Sequence, residues 1–214
     1  MRTTVRKIKA ECTGCGACAS ICPKSAITMK PDEEGFLYPA VDSALCIECD
    51  ACEKRCPVGK PIPENTVVYM GAQNKDEQIR AQSSSGGVFT ALARQMLSRG
   101  GVVFGAAFDE KMHVEHIGAF AESELAGMRG SKYVQSDAAD AIANAASLLE
   151  RGIPVLFSGT PCQIAGLKAR VGKKYDEQLL TVDFVCHGVP SPGVFASYLR
   201  ELENKHGKRV TAYT

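Results

Sequence analysis

The sequence predicts a small α+β module built on metal ligands, followed by a larger α/β domain. Three observations carry this expectation. Eight of the ten cysteines fall between Cys12 and Cys56 at regular spacing. A Pro-rich break, Pro61-Ile62-Pro63-Glu64-Asn65, follows them. From Thr66 onward, short apolar runs alternate with apolar-periodic segments, the pattern of a sheet covered by helices. The units are expected at residues 1–62 and 66–214.

The cysteines form an internal repeat. Cys12, Cys15, Cys18 and Cys22 recur as Cys46, Cys49, Cys52 and Cys56, each 34 positions on, and Pro23 recurs as Pro57. The register is carried by cysteine and not by an apolar helix face, which argues against a helical solenoid. Disulfides need an oxidising compartment. No apolar stretch follows Met1–Lys7 as an export signal would require. Metal ligation is the better reading, in a reducing, anaerobic cytoplasm. Each copy reads C-x2-C-x2-C-x3-C-P. Such a loop wraps three corners of a [4Fe-4S] cube, and the fourth corner takes its ligand from elsewhere. Structural zinc also uses C-x2-C pairs, but it needs no third regularly spaced ligand, twice over.

This block resembles the bacterial 2×[4Fe-4S] ferredoxin family across both motifs. In that family the fourth cysteine of each run ligates the other cluster. The resemblance therefore assigns Cys12, Cys15, Cys18 and Cys56 to a first cluster, and Cys46, Cys49, Cys52 and Cys22 to a second. Gly14 and Gly16 are expected to let the first loop approach its cluster. Glu48, Asp50 and Glu53 surround the second loop, while the first carries no charge. Negative charge disfavours adding an electron, so the second cluster is expected at the lower potential, with Lys24 opposing the trend.

Composition excludes other classes. The 214 residues are 45% apolar and 23% charged, as in ordinary globular chains. A net charge of +1 lacks the basic excess of a nucleic-acid binder. No apolar run approaches the roughly 20 residues that span a bilayer.

In the second unit, strands are expected at 66–70, 101–108, 113–120, 153–157 and 179–185, with another starting at 209–213. Helices are expected at 88–97, 138–149, 163–171 and 192–206. Four motifs stand at element ends. Ser83-Ser84-Ser85-Gly86-Gly87 precedes the first of these helices and reads as an ordinary N-cap or as an anion site. Arg129-Gly130-Ser131-Lys132-Tyr133 reads as a solvated turn or as a phosphate contact. Ser158-Gly159-Thr160-Pro161-Cys162-Gln163 and Val185-Cys186-His187-Gly188 each follow a strand, where ligands gather in open α/β sheets. Cys162 and Cys186, at consecutive strand ends, are expected close together. They read as buried thiols, as a nucleophile with His187 as base, or as two ligands of a further metal site.

SSSGGVFTAL, RGSKY, GTPCQ and VCHG, in this order, resemble the family of coenzyme F420 hydrogenase/dehydrogenase beta subunits over about 66–214. The resemblance implies an FAD-binding domain with Ser85, Gly86, Gly87, Ser131 and Lys132 at the flavin. It implies Cys162 and Cys186 as ligands of a third [4Fe-4S] cluster, whose other two ligands come from a C-x2-C pair absent before Thr214. The second domain is therefore expected to be incomplete. Lys132 is expected to stabilise reduced flavin and His187 to supply a proton. The implied function is an iron–sulfur flavoprotein oxidoreductase, or a subunit of one, working with a deazaflavin, a ferredoxin or another redox partner. Two competitors are an electron-transfer module without chemistry of its own, and a redox sensor using Cys162 and Cys186 as a reversible pair. Flavin binding separates the first reading from the second.

Overall fold

The computed structural model describes residues 11–60 and 67–213. The expected break at Pro61–Asn65 and Thr66 lie outside the described residues, as do the first ten and Thr214. The cysteine-rich unit contains α1 (Ala17–Ile21), β1 (Ile27–Pro31), β2 (Leu37–Val41) and α2 (Ala51–Arg55). β1 and β2 pair antiparallel from Ile27↔Val41 to Pro31↔Leu37. Their turn is held by Asp32, whose Oδ1 accepts the amides of Glu34 and Phe36.

The second unit runs α3 (Glu77–Ala81), α4 (Val88–Ser98), β3 (Val102–Phe108), β4 (Val114–Ala119), α5 (Ala139–Glu150), β5 (Val155–Ser158), α6 (Pro161–Val171), β6 (Leu179–Val182) and α7 (Pro192–His206). Two 3-10 turns, Glu122–Met128 and Lys173–Tyr175, join the set. The sheet order is β4-β3-β5-β6. β3 pairs antiparallel with β4 and parallel with β5, and β5 pairs parallel with β6. Period-two alternation sends successive side chains to opposite layers. Val102, Phe104, Val155 and Phe157 pack under α5 and α6 with Ile142, Leu149 and Leu167. Val103 and Leu156 face the other way, onto Ala93, Met96, Leu125 and Met128. Phe195 and Leu199 of α7 close a smaller core with Met112, Val114 and Val134.

Two expected strands do not form. Val67–Met70 have no regular structure, and Tyr69 is 91% exposed. β-branched and aromatic residues favour a pleated, half-buried surface, and this segment is not buried. Residues 209–213 are likewise irregular. They pack on α7 and the turn between β3 and β4 instead: the Val210 amide donates to Glu203, Arg209 donates to the Glu110 carbonyl, and Tyr213 packs edge-on against Phe195 and Tyr198. The strand expected at 179–185 stops at Val182, and Asp183–Gly188 are exposed.

The two units are docked. α1 lies across α5 and α6. Gln135 brackets one residue of β2: its Oε1 accepts the Leu37 amide at 2.6 Å, and its Nε2 donates to the Leu37 carbonyl at 3.1 Å. Ser191 Oγ donates to the Glu34 carbonyl, and Arg55 to the Ala169 carbonyl. The glycines expected at the first cluster also serve this docking. A Cβ on Gly16 (φ +81°) would stand 2.9 Å from Ala139 Cα, and one on Gly14 would press on the Leu37 carbonyl. Across the seam, a Cβ on Gly166 would sit 3.1 Å from Cys15 Sγ. Among the described residues, no helix is long and apolar enough to cross a membrane.

Candidate functional site

The sequence repeat is also a repeat of backbone conformation. Gly14 and Gly16 have φ +66° and +81°; 34 positions on, Glu48 and Asp50 have φ +55° and +58°. Gly16 and Asp50 each start a single-turn helix carrying the third cysteine, and Cys22 and Cys56 end those helices in extended conformation. Each run thus presents three thiols around a tight loop and sends its fourth away.

The thiols differ in how far they are buried. Cys12 is raised in pKa by burial first and then, among other influences, by the charges of Cys56 and Cys162. Burial pushes the Cys15 thiol up to about 11 and the Cys18 thiol to about 12. Cys15 also feels Cys162, Cys12 and Cys56; Cys18 feels Cys15, Cys12 and, more weakly, Cys52. Cys52 is raised by burial and feels Cys22 and Cys49. Cys22, Cys46, Cys49 and Cys52 together line one cavity with Ile27, Val41 and Ile47. Among the described residues, no three His, Cys, Asp or Glu side chains converge on a single metal ion. Eight thiols in two C-x2-C-x2-C-x3-C runs are the donor set that two [4Fe-4S] clusters use. Thiols bind metal as thiolates, so loading releases protons. The Ala26 amide already donates to Cys22 Sγ at 3.2 Å.

The structure brings the two flavin-candidate motifs together. The Ser131 amide donates to Ser84 Oγ at 2.8 Å, and the two hydroxyls are 3.3 Å apart. Arg129 donates to Gln82 and Thr90, fastening the same loops. Gly87 starts α4 with no side-chain cap, while Ser84, Ser85 and Ser131 are exposed beside it. An uncapped start of an 11-residue helix ringed by hydroxyls, with two cations nearby, fits a phosphate group. Lys132, next to Ser131, is tied to its own loop. Its Nζ donates to the carbonyls of Gly127, Arg129 and Gly130. Burial pulls its pKa down to about 8, so it stays an ammonium at neutral pH. Its geometry shapes the 127–132 loop.

Cys162 and Cys186 are not alike. Cys162 opens α6 and lies among the first set of thiols, as the Cys12 and Cys15 shifts record. Cys186 and His187 sit in the exposed stretch after β6. The ends of β5 and β6 are adjacent, at Ser158↔Val182.

Sequence reasoning missed the polar chain behind Cys162. His116, at a buried position of β4, stacks on Phe157 at 5.2 Å. Burial pulls its pKa down to about 4. Its Nε2 is 3.0 Å from the Ser158 carbonyl, which makes Nε2 the protonated nitrogen and leaves Nδ1 to accept from Ser136. Gln163 donates to both Ser136 oxygens and accepts from the Thr160 amide and hydroxyl. Thr160 Oγ1 is 3.1 Å from Cys162 Sγ. With its proton on Gln163, the threonine oxygen accepts from the Cys162 thiol. The legible signal was Thr160-x-x-Gln163, the spacing of a capping box.

Residues 11–60 match the 4Fe-4S dicluster domain. Residues 69–143 and 154–214 match the N-terminal and C-terminal domains of the coenzyme F420 hydrogenase/dehydrogenase beta subunit. A subunit of the F(420)H(2) dehydrogenase of Methanosarcina mazei is 24% identical over 188 residues, covering 82% of this chain and 53% of its own length. An uncharacterized ferredoxin of Methanocaldococcus jannaschii is 43% identical over 47 residues, 22% of this chain and 60% of its own. Among solved structures, the F420-reducing [NiFe] hydrogenase complex from Methanosarcina barkeri shares the fold at TM-score 0.50 and 21% identity, over 62% of this chain and 48% of that one. The chain thus spans about half the length of the dehydrogenase subunit it matches. It belongs to the family of coenzyme F420 hydrogenase/dehydrogenase beta subunits and carries a 4Fe-4S dicluster domain at its N-terminal end.

Proposed function

We propose that this family member is an iron–sulfur flavoprotein subunit that passes electrons between its two clusters and FAD, with a deazaflavin or another two-electron partner at the flavin. The observation that carries the reading is the contact between Ser84 and Ser131, which joins two separated motifs at the start of α4. When bound, the flavin takes up a hydride and gives electrons singly, which clusters accept. The chain's own residues do the rest. Ser84, Ser85, Ser131 and the first amides of α4 beyond Gly86 and Gly87 would hold a phosphate of the cofactor. Lys132 would fix the loop that presents Ser131, acting through the carbonyls it binds. Cys12, Cys15, Cys18 and Cys56 would hold the first cluster, and Cys46, Cys49, Cys52 and Cys22 the second. Cys162, beside the first set, with Cys186 would supply part of a third. His187, on the exposed stretch after β6, would deliver a proton.

The test is flavin content. The chain is purified anaerobically, loaded with iron and sulfide, incubated with FAD, desalted and denatured. Near-stoichiometric FAD supports the reading, with loss expected in Ser131→Leu. No flavin after incubation overturns it and leaves a two-cluster electron carrier.

A further inference from the structure

We infer that Thr160 is a positioning residue for Cys162 whose hydroxyl reverses direction when the cysteine binds metal: it accepts from the thiol and donates to the thiolate. The inference rests on the reading of Cys162 as a metal ligand.

Cys162 faces the first cysteine set. Gly166, one turn further along α6, lies against Cys15: a Cβ there would stand 3.1 Å from Cys15 Sγ. Residues four apart share a helix face. The face of α6 that carries Cys162 is therefore the one turned to Cys15.

The protons behind Cys162 are fixed from two ends. At the inner end, burial keeps His116 neutral. Its Nε2 faces the Ser158 carbonyl and carries the proton, so Nδ1 is a lone pair. The Ser136 hydroxyl, 3.1 Å away, has to donate to it. Ser136 Oγ is then left to accept from Gln163 Nε2 at 2.9 Å. At the outer end, the Thr160 amide can only donate, and it faces Gln163 Oε1 at 3.0 Å. Both constraints give Gln163 the same orientation. Its Oε1 also takes the Thr160 hydroxyl proton, at 3.0 Å. Thr160 Oγ1 therefore meets Cys162 Sγ with a lone pair, at 3.1 Å. His116, Ser136 and Gln163 are buried, so water does not compete for these bonds.

A lone pair suits a thiol, which donates. It does not suit a thiolate, and thiols bind metal as thiolates. As the metal–sulfur bond forms, the Cys162 proton leaves for solvent. The Thr160 hydroxyl then turns from Gln163 to sulfur. Gln163 Oε1 is not orphaned by the turn, because the Thr160 amide still donates to it. One rotating proton thus serves both states of the cysteine, and its bond to charged sulfur is a charge-assisted one. A hydrogen bond to a ligating sulfur also raises the potential of the centre it belongs to.

The experiment uses the full chain, iron-free and iron-loaded. Each spectrum is read as parent against Cys162→Ala, which isolates one cysteine among ten. Equal iron content in the two fails the ligand reading, a different result from failure of the turning hydroxyl. In the iron-free chain, the infrared S–H stretch of Cys162 should lie below that of an unbonded thiol. It should rise in Thr160→Val and return in Thr160→Ser. In the iron-loaded chain, the EPR signal altered in Cys162→Ala marks the cluster concerned. The midpoint potential of that cluster should fall in Thr160→Val, which lacks the hydroxyl, and return in Thr160→Ser. Ser98→Ala on α4 should move neither readout. A purely structural role for Thr160 predicts lost stability with the band and the potential in place. An S–H band at the unbonded position in the parent, or a potential that does not fall in Thr160→Val, overturns the inference.

Discussion

The two copies of the cysteine repeat have the same backbone and opposite surroundings. At the paired left-handed positions, the first copy has Gly14 and Gly16, and the second has Glu48 and Asp50. Conformation alone does not demand glycine, since the second copy adopts the same φ with side chains. What demands it is the docking, because any Cβ on Gly16 meets the backbone of Ala139. The exposed copy is free to carry charge at those positions. The difference teaches that the chemistry of the repeat fixes its cysteines, while the residues between them report what each copy faces.

Substitutions at the paired positions break this comparison most sharply. Gly16→Ala adds a left-handed penalty to a steric one and should destabilise the iron-loaded chain by about 3 kcal/mol. Asp50→Gly, its counterpart, should leave stability unchanged or raise it by up to about 1 kcal/mol. Urea unfolding followed by cluster absorbance measures both. Equal losses would mean the docking does not distinguish the copies.

Gln135→Ala comes next. It leaves the Leu37 amide and carbonyl without their side-chain partner, at a cost of about 2 kcal/mol. Hydrogen exchange at Leu37 should accelerate with it, while exchange in β3 and β5 stays slow. Unchanged protection at Leu37 would show that the seam is held by other contacts.

The smallest effect concerns His116, on the inner side only. Its folded pKa of about 4 lies below its ordinary 6.5, so the unfolded chain takes up the proton first. The stability it contributes is complete above pH 6.5 and is lost as pH falls from there toward 4. Between pH 7 and 5.5 the loss should be about 1 kcal/mol, and His116→Gln should remove that slope. A slope that persists in the variant would assign it to another group.

Much of this was legible in the residues. The cysteine register placed both loops, and the helix expected at 192–206 is α7 itself, with Ser191 as N-cap and Pro192 at its first turn. The strands 102–108 and 114–119 fell within the expected spans. Local sequence failed where the outcome depends on distant partners. Val67–Met70 has strand composition, but composition does not supply a neighbouring strand. The docking role of Gly14 and Gly16 was not legible, because α5, over a hundred residues away, is invisible from the motif. The three loop carbonyls that hold Lys132 were not legible either, because a lysine in a polar turn looks free. The chain from His116 to Cys162 joins β4, α6 and the segment between them; only its Thr160-x-x-Gln163 end was legible as a spacing.

The central claim is that electrons pass between a flavin and the clusters within one chain. The direct measurement mixes FAD-loaded, iron-loaded protein with a reduced deazaflavin under anaerobic conditions and freezes samples over time for EPR. The account predicts that flavin bleaches and that reduced-cluster signals then grow at a rate independent of protein concentration. Flavin that bleaches while the clusters stay oxidised would contradict it.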